Sequence, residues 1–425
     1  MHNIATYTLN NLEITVDRQG ADRFAKVSYP IRYGRFAEIK TADHLFQFNL
    51  NGEIKYISGH NGNWPHPAEW LKRTDGNDWT YYSTGGYRGV LAVLGEHYRP
   101  CLDYPSNSIW TYDPFADPRI GQALTALSAL QRNLGCLPEI AGPGVPKNFC
   151  ERIARHDMAA LGSRADKLHA IIGGGVSVLP PDTRHVDYQV IPVMVADGCL
   201  YQCNFCSIKS RQGFRVRSRE DIRRQIHQLR AFYGADLCNY NALFLGNHDA
   251  LAAGSERICL AATEAYAAFG FETSCMKEPT LFLFGSADSF LNADKNLFET
   301  LNRLPVHTFI NIGLESGDSE TLEYLSKPLD NKKIEAAFRM MLDINRRYPR
   351  IEITVNFLLG NGLPPGHYPS IIELVRSRLD GFYSKGGVYL SPLMSDHGGQ
   401  ELLKMFVKIK NLSRLPAYLY LIQRL

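Results

Sequence analysis

The reading of this chain turns on Gly198-Cys199-Leu200-Tyr201-Gln202-Cys203-Asn204-Phe205-Cys206. Three of its residues are cysteines, spaced C-x3-C-x2-C. The apolar run just before it, Tyr188 to Val195, reads as a buried strand. Three thiolates on one short loop can cap three corners of a [4Fe–4S] cube. The fourth iron then has no nearby protein ligand and stays open to a small molecule. Zinc is the competing chemistry. A structural zinc takes four protein ligands, usually from paired C-x2-C units, and a second pair is missing here. Cys238, Cys275 or His248 would have to close such a site. Buried cysteines without any metal are the third reading.

The remaining cysteines favour ligands over cross-links. There are nine in 425 residues, an odd number, and none follows Cys275. That is a poor disulfide framework. Apolar residues make up 45% and charged residues 21%, enough for a large core and too apolar for wholesale disorder. Forty-six basic against 43 acidic residues leave a net charge of +3, which gives no whole-chain electrostatic case for nucleic acid. No uncharged apolar run reaches the roughly 18 residues of a membrane span. The first residues lack a basic stretch followed by an apolar one, so the expected location is cytoplasmic.

Working outward, the chain divides near residue 185. Residues 1–185 read as an N-terminal α+β domain of unknown role. Leu12–Val16, Phe46–Leu50 and Glu53–Ile57 alternate like strands, and Asn51-Gly52 is a hairpin signal. Residues 58–118 are rich in Trp, Tyr, Gly and Pro and are a candidate lid, though more naturally that domain's own core. Residues 119–171 read as helical, with Leu124, Leu127, Leu130 and Leu134 on one face.

Residues 186–400 alternate strand and helix. Strands are expected at 188–195, 242–245, 271–276, 306–314, 351–359 and 387–390. Helices are expected at 218–233, 254–269, 292–303, 318–326, 331–347 and 366–379. Six such units imply a parallel sheet with right-handed crossovers, an α/β partial TIM-type barrel, (β/α)6, with its site at the strands' C-terminal ends. Residues 401–425 read as a short apolar tail.

The motif C-x3-C-x-aromatic-C after the first strand of such a barrel resembles the signature of the radical S-adenosylmethionine (SAM) superfamily. The resemblance covers about residues 186–395. It implies that Cys199, Cys203 and Cys206 hold a [4Fe–4S] cluster, and that the open iron is chelated by SAM's amino and carboxylate groups. Phe205 would lie near the adenine. Strand two usually ends in Gly-Gly-Glu, touching the methionine amino group; here the segment is Gly246-Asn247-His248-Asp249, so Asn247 or Asp249 takes the polar role. Asn311-Ile312-Gly313-Leu314-Glu315-Ser316-Gly317 is similar to a segment of methylthiotransferases, elongator-type and coproporphyrinogen-type enzymes. By that likeness Glu315 contacts SAM and Lys327 faces its carboxylate, while Asn356 reaches the ribose.

The resemblance further implies reductive cleavage of SAM to a 5′-deoxyadenosyl radical, which abstracts hydrogen from an unidentified substrate. The other class of reading is a non-catalytic metal protein with a structural zinc or iron–sulfur site. Lys209, Arg211, Arg215, Arg217, Arg219, Arg223 and Arg224 form a basic run after the cysteines. They would suit an anionic substrate or an acidic electron donor such as flavodoxin or ferredoxin, or form a plain solvated face. Cys101, Cys136 and Cys150 could ligate a second cluster, but their loose spacing favours structural cysteines, and no cobalamin-type Asp-x-His-x-x-Gly stretch occurs.

Overall fold

The computed structural model describes residues 5–9, 11–23, 33–60, 80–84 (backbone only), 118–136, 147–176, 178–182, 190–206, 213–393 and 399–423. Two layers of architecture follow one another along the chain.

The first is an antiparallel sheet of β1 (Ala5–Leu9), β2 (Leu12–Gln19), β3 (Arg35–Lys40), β4 (His44–Phe48) and β5 (Ile54–Gly59), paired in sequence order. The Asn51-Gly52 hairpin joins β4 to β5. Gly52 has φ +85°, a conformation costly for any residue with a side chain. After β6 (Thr80–Thr84) come α1 (Pro118–Gly135), α2 (Lys147–Arg155) and α3 (Met158–Ile172). The inward residues of the sheet, such as Ile39, Phe46 and Phe48, pack on Leu127, Leu130, Leu134 and Ile153 as one core. Leu124, expected on the same face, lies at the margin of that core. Cys150 belongs to this core and Cys136 is exposed, while Cys101 lies outside the described residues.

The second layer is a parallel sheet. Its elements are β7 (Val190–Val193), a short antiparallel pair β8 (Ala196–Asp197) and β9 (Arg215–Val216), α4 (Arg219–Tyr233), β10 (Ala242–Leu245), α5 (Ser255–Phe269), β11 (Thr280–Ser286), α6 (Ala287–Leu291), α7 (Lys295–Arg303), β12 (His307–Glu315), α8 (Ser319–Tyr324), α9 (Asn331–Arg347), β13 (Ile351–Leu359), α10 (His367–Ile372), β14 (Val388–Pro392), α11 (Gly399–Leu412) and β15 (Ala417–Gln423). The strand order is β6-β15-β14-β13-β12-β11-β10-β7, every pair parallel. This is the expected partial barrel beside an antiparallel N-terminal region. Helices start where the sequence places caps: the Ser218 side chain accepts the Asp221 amide, and Asp330 that of Lys333.

Three expectations need correction. The third strand is Thr280–Ser286; residues 271–276 are a single 3-10 turn and a loop. Phe271–Met276 is apolar only at its ends, whereas Thr280-Leu-Phe-Leu-Phe is a continuous apolar run of the kind a strand covered on both faces requires. Residues 401–425 are not a tail: they supply most of α11 and the strand β15. The sheet therefore holds two strands more than six, β15 and, from the N-terminal half, β6.

The barrel lumen has two chemically different walls. On one side, Phe244 meets Phe284 edge-on and Phe282 stacks on Phe309. On the other, Asn311 donates to Thr354, and Asp182 accepts from Thr354 and from the Tyr389 hydroxyl. Asp182 arrives on the segment that links the two layers, whose Leu179 carbonyl accepts the Tyr420 hydroxyl. That segment thus bonds to the inward side chains of β13, β14 and β15.

Candidate active site

The three motif cysteines follow β7 at the C-terminal end of the sheet, and all three line one cavity of about 220 Å³. The loop carrying them is held at both ends. At its start, Arg217 grips Asp197 with Nε 3.1 Å from both carboxylate oxygens, and its Nη1 donates to the Ile172 carbonyl. Burial opposes ionisation of Asp197, but the hydrogen bonds and charge of Arg217 prevail and hold its pKa below the usual range. Further along, Asn204 bonds Leu325 O with its amide (3.1 Å) and Tyr324 O with its side chain (2.7 Å). The cysteine loop is thereby stapled to the segment that delivers Lys327.

Lys327 is 7% exposed and not a solvated helix-end lysine. Its Nζ lies 3.0 Å from Glu315 Oε1 and 5.5 Å from the centre of the Tyr201 ring. Burial works against its charge, yet Glu315 and the thiols of Cys203 and Cys199 raise its pKa. Glu315 reaches it through a bulge: the β12–β13 register shifts between Gly313 and Glu315, and Glu315 has φ +68°. Such a left-handed residue at a bulge re-aims a side chain at a cost of roughly 1–3 kcal/mol. A Cβ on Gly313 would come within 2.6 Å of Glu315 Oε1 and 3.3 Å of Lys327 Nζ, so a side chain there would displace the pair.

Burial raises the thiol pKa of Cys199, and pushes that of Cys203 up to about 11 even though Lys327 pulls it down. Bare thiols here are protonated, and ligation of a metal group must displace those protons. Among the described residues, no three His, Cys, Asp or Glu side chains converge on one ion, as a mononuclear zinc would require. A cube offers a different iron to each thiolate, so its ligands stand further apart. Cys238 and Cys275 precede β10 and β11, at the opposite end of the sheet, and cannot close a zinc site with this loop. The donor set fits a three-cysteine cluster with an open iron.

The residues after β10 separate cleanly. Gly246 has φ +76°, and a Cβ there would sit 2.9 Å from Ala250 Cβ. Asn247 and Asp249 both line the cavity. The Asn247 side chain donates to the Gly175 carbonyl at 2.9 Å. Asp249 is 2% exposed; its Oδ1 accepts from the Ser286 amide (2.9 Å) and the Ser289 hydroxyl (2.7 Å), while its Oδ2 is buried with no protein partner. His248 also lines the cavity, and burial lowers its pKa. Phe205 and Asn356 complete the expected set along the same walls. The Asn356 amide donates to Asn311 at 2.6 Å.

Residues 193–375 match the family model described as the radical SAM superfamily. That match covers a little under half of the chain. Enzymes of the superfamily use a [4Fe–4S] cluster and SAM. No curated protein matches the chain. Among solved structures, it is similar to a radical SAM methyltransferase from Sphaerobacter thermophilus, at 14% identity and a TM-score of 0.37 over 54% of this chain and 66% of that one. It is also similar to the cobalamin-dependent radical enzyme OxsB, at 15% identity and a TM-score of 0.34 over 54% of this chain and 31% of that one. A third is Streptococcus suis SuiB, at 12% identity and a TM-score of 0.34 over 71% of this chain and 60% of that one. In a second OxsB structure the match extends to 94% of this chain and 65% of that one, at 13% identity and a TM-score of 0.36.

Several residues in and around the cavity escaped the sequence reading. Gly285 and Ser286 were missed because strand three was placed nine residues early; the Thr280–Ser286 run ending in Gly-Ser was the available signal. Tyr201, inside the motif, donates its hydroxyl to Asp288 at 2.7 Å, and nothing in the sequence links the two. His367 is fully buried: its Nε2 bonds the Leu358 carbonyl, so its Nδ1 accepts from Ser316 and pins the Glu315-Ser316 turn.

The basic run is mostly spent on ion pairs. Arg215 and Arg217 pair with Asp197, Arg219 with Glu256, Arg223 with Glu264 and Arg224 with Asp221. Lys209 and Arg211 lie outside the described residues. Pairing lowers the net charge of this face, which favours the plain solvated-face reading for these five arginines over an anion or donor-docking site. Trp64, Trp70, Trp79 and Trp110 of the candidate lid also lie outside the described residues, as do the side chains of Tyr81 and Tyr82. No described helix is long and apolar enough to cross a membrane.

Proposed function

We propose that the chain is a radical SAM enzyme: Cys199, Cys203 and Cys206 hold a [4Fe–4S] cluster whose open iron takes SAM. The observation that carries the reading is the meeting of the three thiols with one unspent buried carboxylate oxygen and a buried Lys–Glu pair in a single cavity. When bound, cluster and SAM supply the electron and the carbon radical that take hydrogen from an unreactive position. The chain's own residues bind and orient. Asp249 Oδ2 accepts from the methionine ammonium, since Asn247 is engaged elsewhere. Lys327, held by Glu315, faces the methionine carboxylate. Asn356, fixed by Asn311, meets the ribose, and Phe205 lies against the adenine. The apolar wall of Phe284, Leu358 and Leu393 keeps water from the reacting carbon.

The test is anaerobic. The protein is reconstituted with iron and sulfide, SAM and dithionite are added, and 5′-deoxyadenosine is quantified beside a Cys203→Ala control. Product that disappears in the control supports the enzyme. Tightly bound zinc, or a loaded cluster that leaves SAM intact, refutes it.

A further inference from the structure

A second pair of cysteines meets at the other end of the sheet. Cys238 ends a 3-10 turn before β10, and Cys275 lies in the loop before β11. The Cys275 amide donates to the Cys238 carbonyl at 2.7 Å, and Ser274 Oγ donates to the same carbonyl at 2.9 Å. A backbone bond of this kind holds two α-carbons about 5–6 Å apart, inside the range a disulfide spans. Burial and the neighbouring Cys275 thiol push the Cys238 pKa up to about 12. Both cysteines are partly accessible, and both act on the guanidinium of Arg35 from the N-terminal sheet.

Both segments also hold the N-terminal region. Asn239, next to Cys238, accepts from the Arg35 amide (2.6 Å) and donates to the Arg35 carbonyl (2.8 Å). Lys277, two residues past Cys275, donates its amide to the Asp22 carbonyl at 2.6 Å and pairs with the Asp22 carboxylate. A bond between the sulfurs would tie together two of the clasps that hold that sheet.

We propose that Cys238 and Cys275 form a thiol–disulfide exchange site whose closure fastens the N-terminal sheet to the barrel. The co-reactant is a small-molecule disulfide. One cysteine loses its proton to solvent and attacks a sulfur of the reagent, breaking its S–S bond and releasing one thiol. The second cysteine then attacks the protein sulfur of that mixed disulfide and releases the other thiol. Two protein S–H bonds become one S–S bond, and the two electrons leave on two reagent thiols. The site lies apart from the cavity, so it stands or falls independently of the SAM reading.

The experiment equilibrates the iron- and sulfide-loaded protein, without oxygen, in a graded series of oxidised and reduced glutathione. Free thiols are then alkylated and the peptides mapped. Cys238 and Cys275 are expected to lose alkylation together and to appear in one linked peptide pair. In Cys275→Ser, Cys238 is expected as the mixed glutathione disulfide. Hydrogen exchange of the Arg35 amide is expected to slow in the linked form. Independent alkylation of the two cysteines at every ratio, or linkage of either to another cysteine, overturns the site. Arg35 exchange that is unchanged by linkage overturns its hold on the N-terminal sheet.

Discussion

The two ends of the parallel sheet carry the same kinds of residue and use them differently. At the C-terminal end, Cys199, Cys203 and Cys206 line a cavity together with a carboxylate oxygen, Asp249 Oδ2, that no protein group satisfies. At the N-terminal end, Cys238 and Cys275 face each other, and the buried carboxylate of Asp236 accepts from the Leu50 amide and the Asn239 side chain. A buried polar atom without a partner costs roughly 1–3 kcal/mol, more when charged. The first end bears that cost on a carboxylate; at the second, Asp236 and Asn239 are spent on holding the N-terminal sheet, and the buried atoms left without a partner among the described residues there are the neutral hydroxyls of Thr280 and Thr308. Cysteine clustering alone does not distinguish a cofactor site from a structural or redox one. What the neighbouring polar atoms have left over does.

The sharpest way to break this contrast is to remove one cysteine from each end. Cys203→Ala should abolish both bound iron and 5′-deoxyadenosine, whereas Cys238→Ser should keep both near the parent level, read by iron content and product yield. If Cys238→Ser also lost its iron, the division between the ends would be wrong.

Lys327→Met strands Glu315 in the cavity wall. Removing one partner of a buried pair costs about 3–5 kcal/mol. The variant should show that loss in denaturant unfolding, together with weaker SAM binding. Adding Glu315→Gln should recover much of the stability and none of the SAM affinity.

The opposite end has its own signature in pH. Burial pushes the Asp236 pKa up to about 6, from 3.8, despite the donors around it. A raised carboxylate pKa favours the folded state only while the group is protonated. That contribution is complete below pH about 4 and is lost as pH rises through about 6. Two units correspond to about 3 kcal/mol. Asp236→Asn should flatten that part of the stability–pH curve relative to the parent, measured by denaturant unfolding from pH 4 to 7.

Asp249→Asn keeps an oxygen for Ser286 and Ser289 but removes the charge facing the cavity. A hydrogen bond to a charged group contributes about 1.5–3 kcal/mol, so SAM should bind roughly 10- to 100-fold more weakly, by calorimetry. Arg223→Ala breaks an exposed pair with Glu264 and should change stability by less than about 1 kcal/mol, with SAM cleavage unaltered. A larger effect on reduction by flavodoxin than on stability would restore the donor-docking reading at that helix.

How much of this was legible beforehand follows from the range of the forces involved. Strands β12 and β13 and helix α9 were readable because their burial patterns and caps are local. The motif cysteines were readable because three ligands on one loop fix their own spacing. β11 was misplaced because two nearby segments both contain aromatic and apolar residues, and only the pairing partners choose between them. β15 was read as a tail because a strand at the margin of a sheet gains its meaning from β14 and β6, not from its own pattern.

By itself, then, the sequence determined the three-cysteine loop, the alternation that builds a parallel sheet, and the motif by which the loop resembles a known superfamily. Only the tertiary structure decided which polar groups are free to act. It paired the basic run with carboxylates, buried Lys327 against Glu315, engaged Asn247, and left one oxygen of Asp249 unspent. It also brought Cys238 to Cys275 across 37 positions of sequence. The reason is physical: residue identity fixes what a group can do, but desolvation and hydrogen-bond satisfaction depend on neighbours supplied by distant segments, and those exist only once the chain has folded.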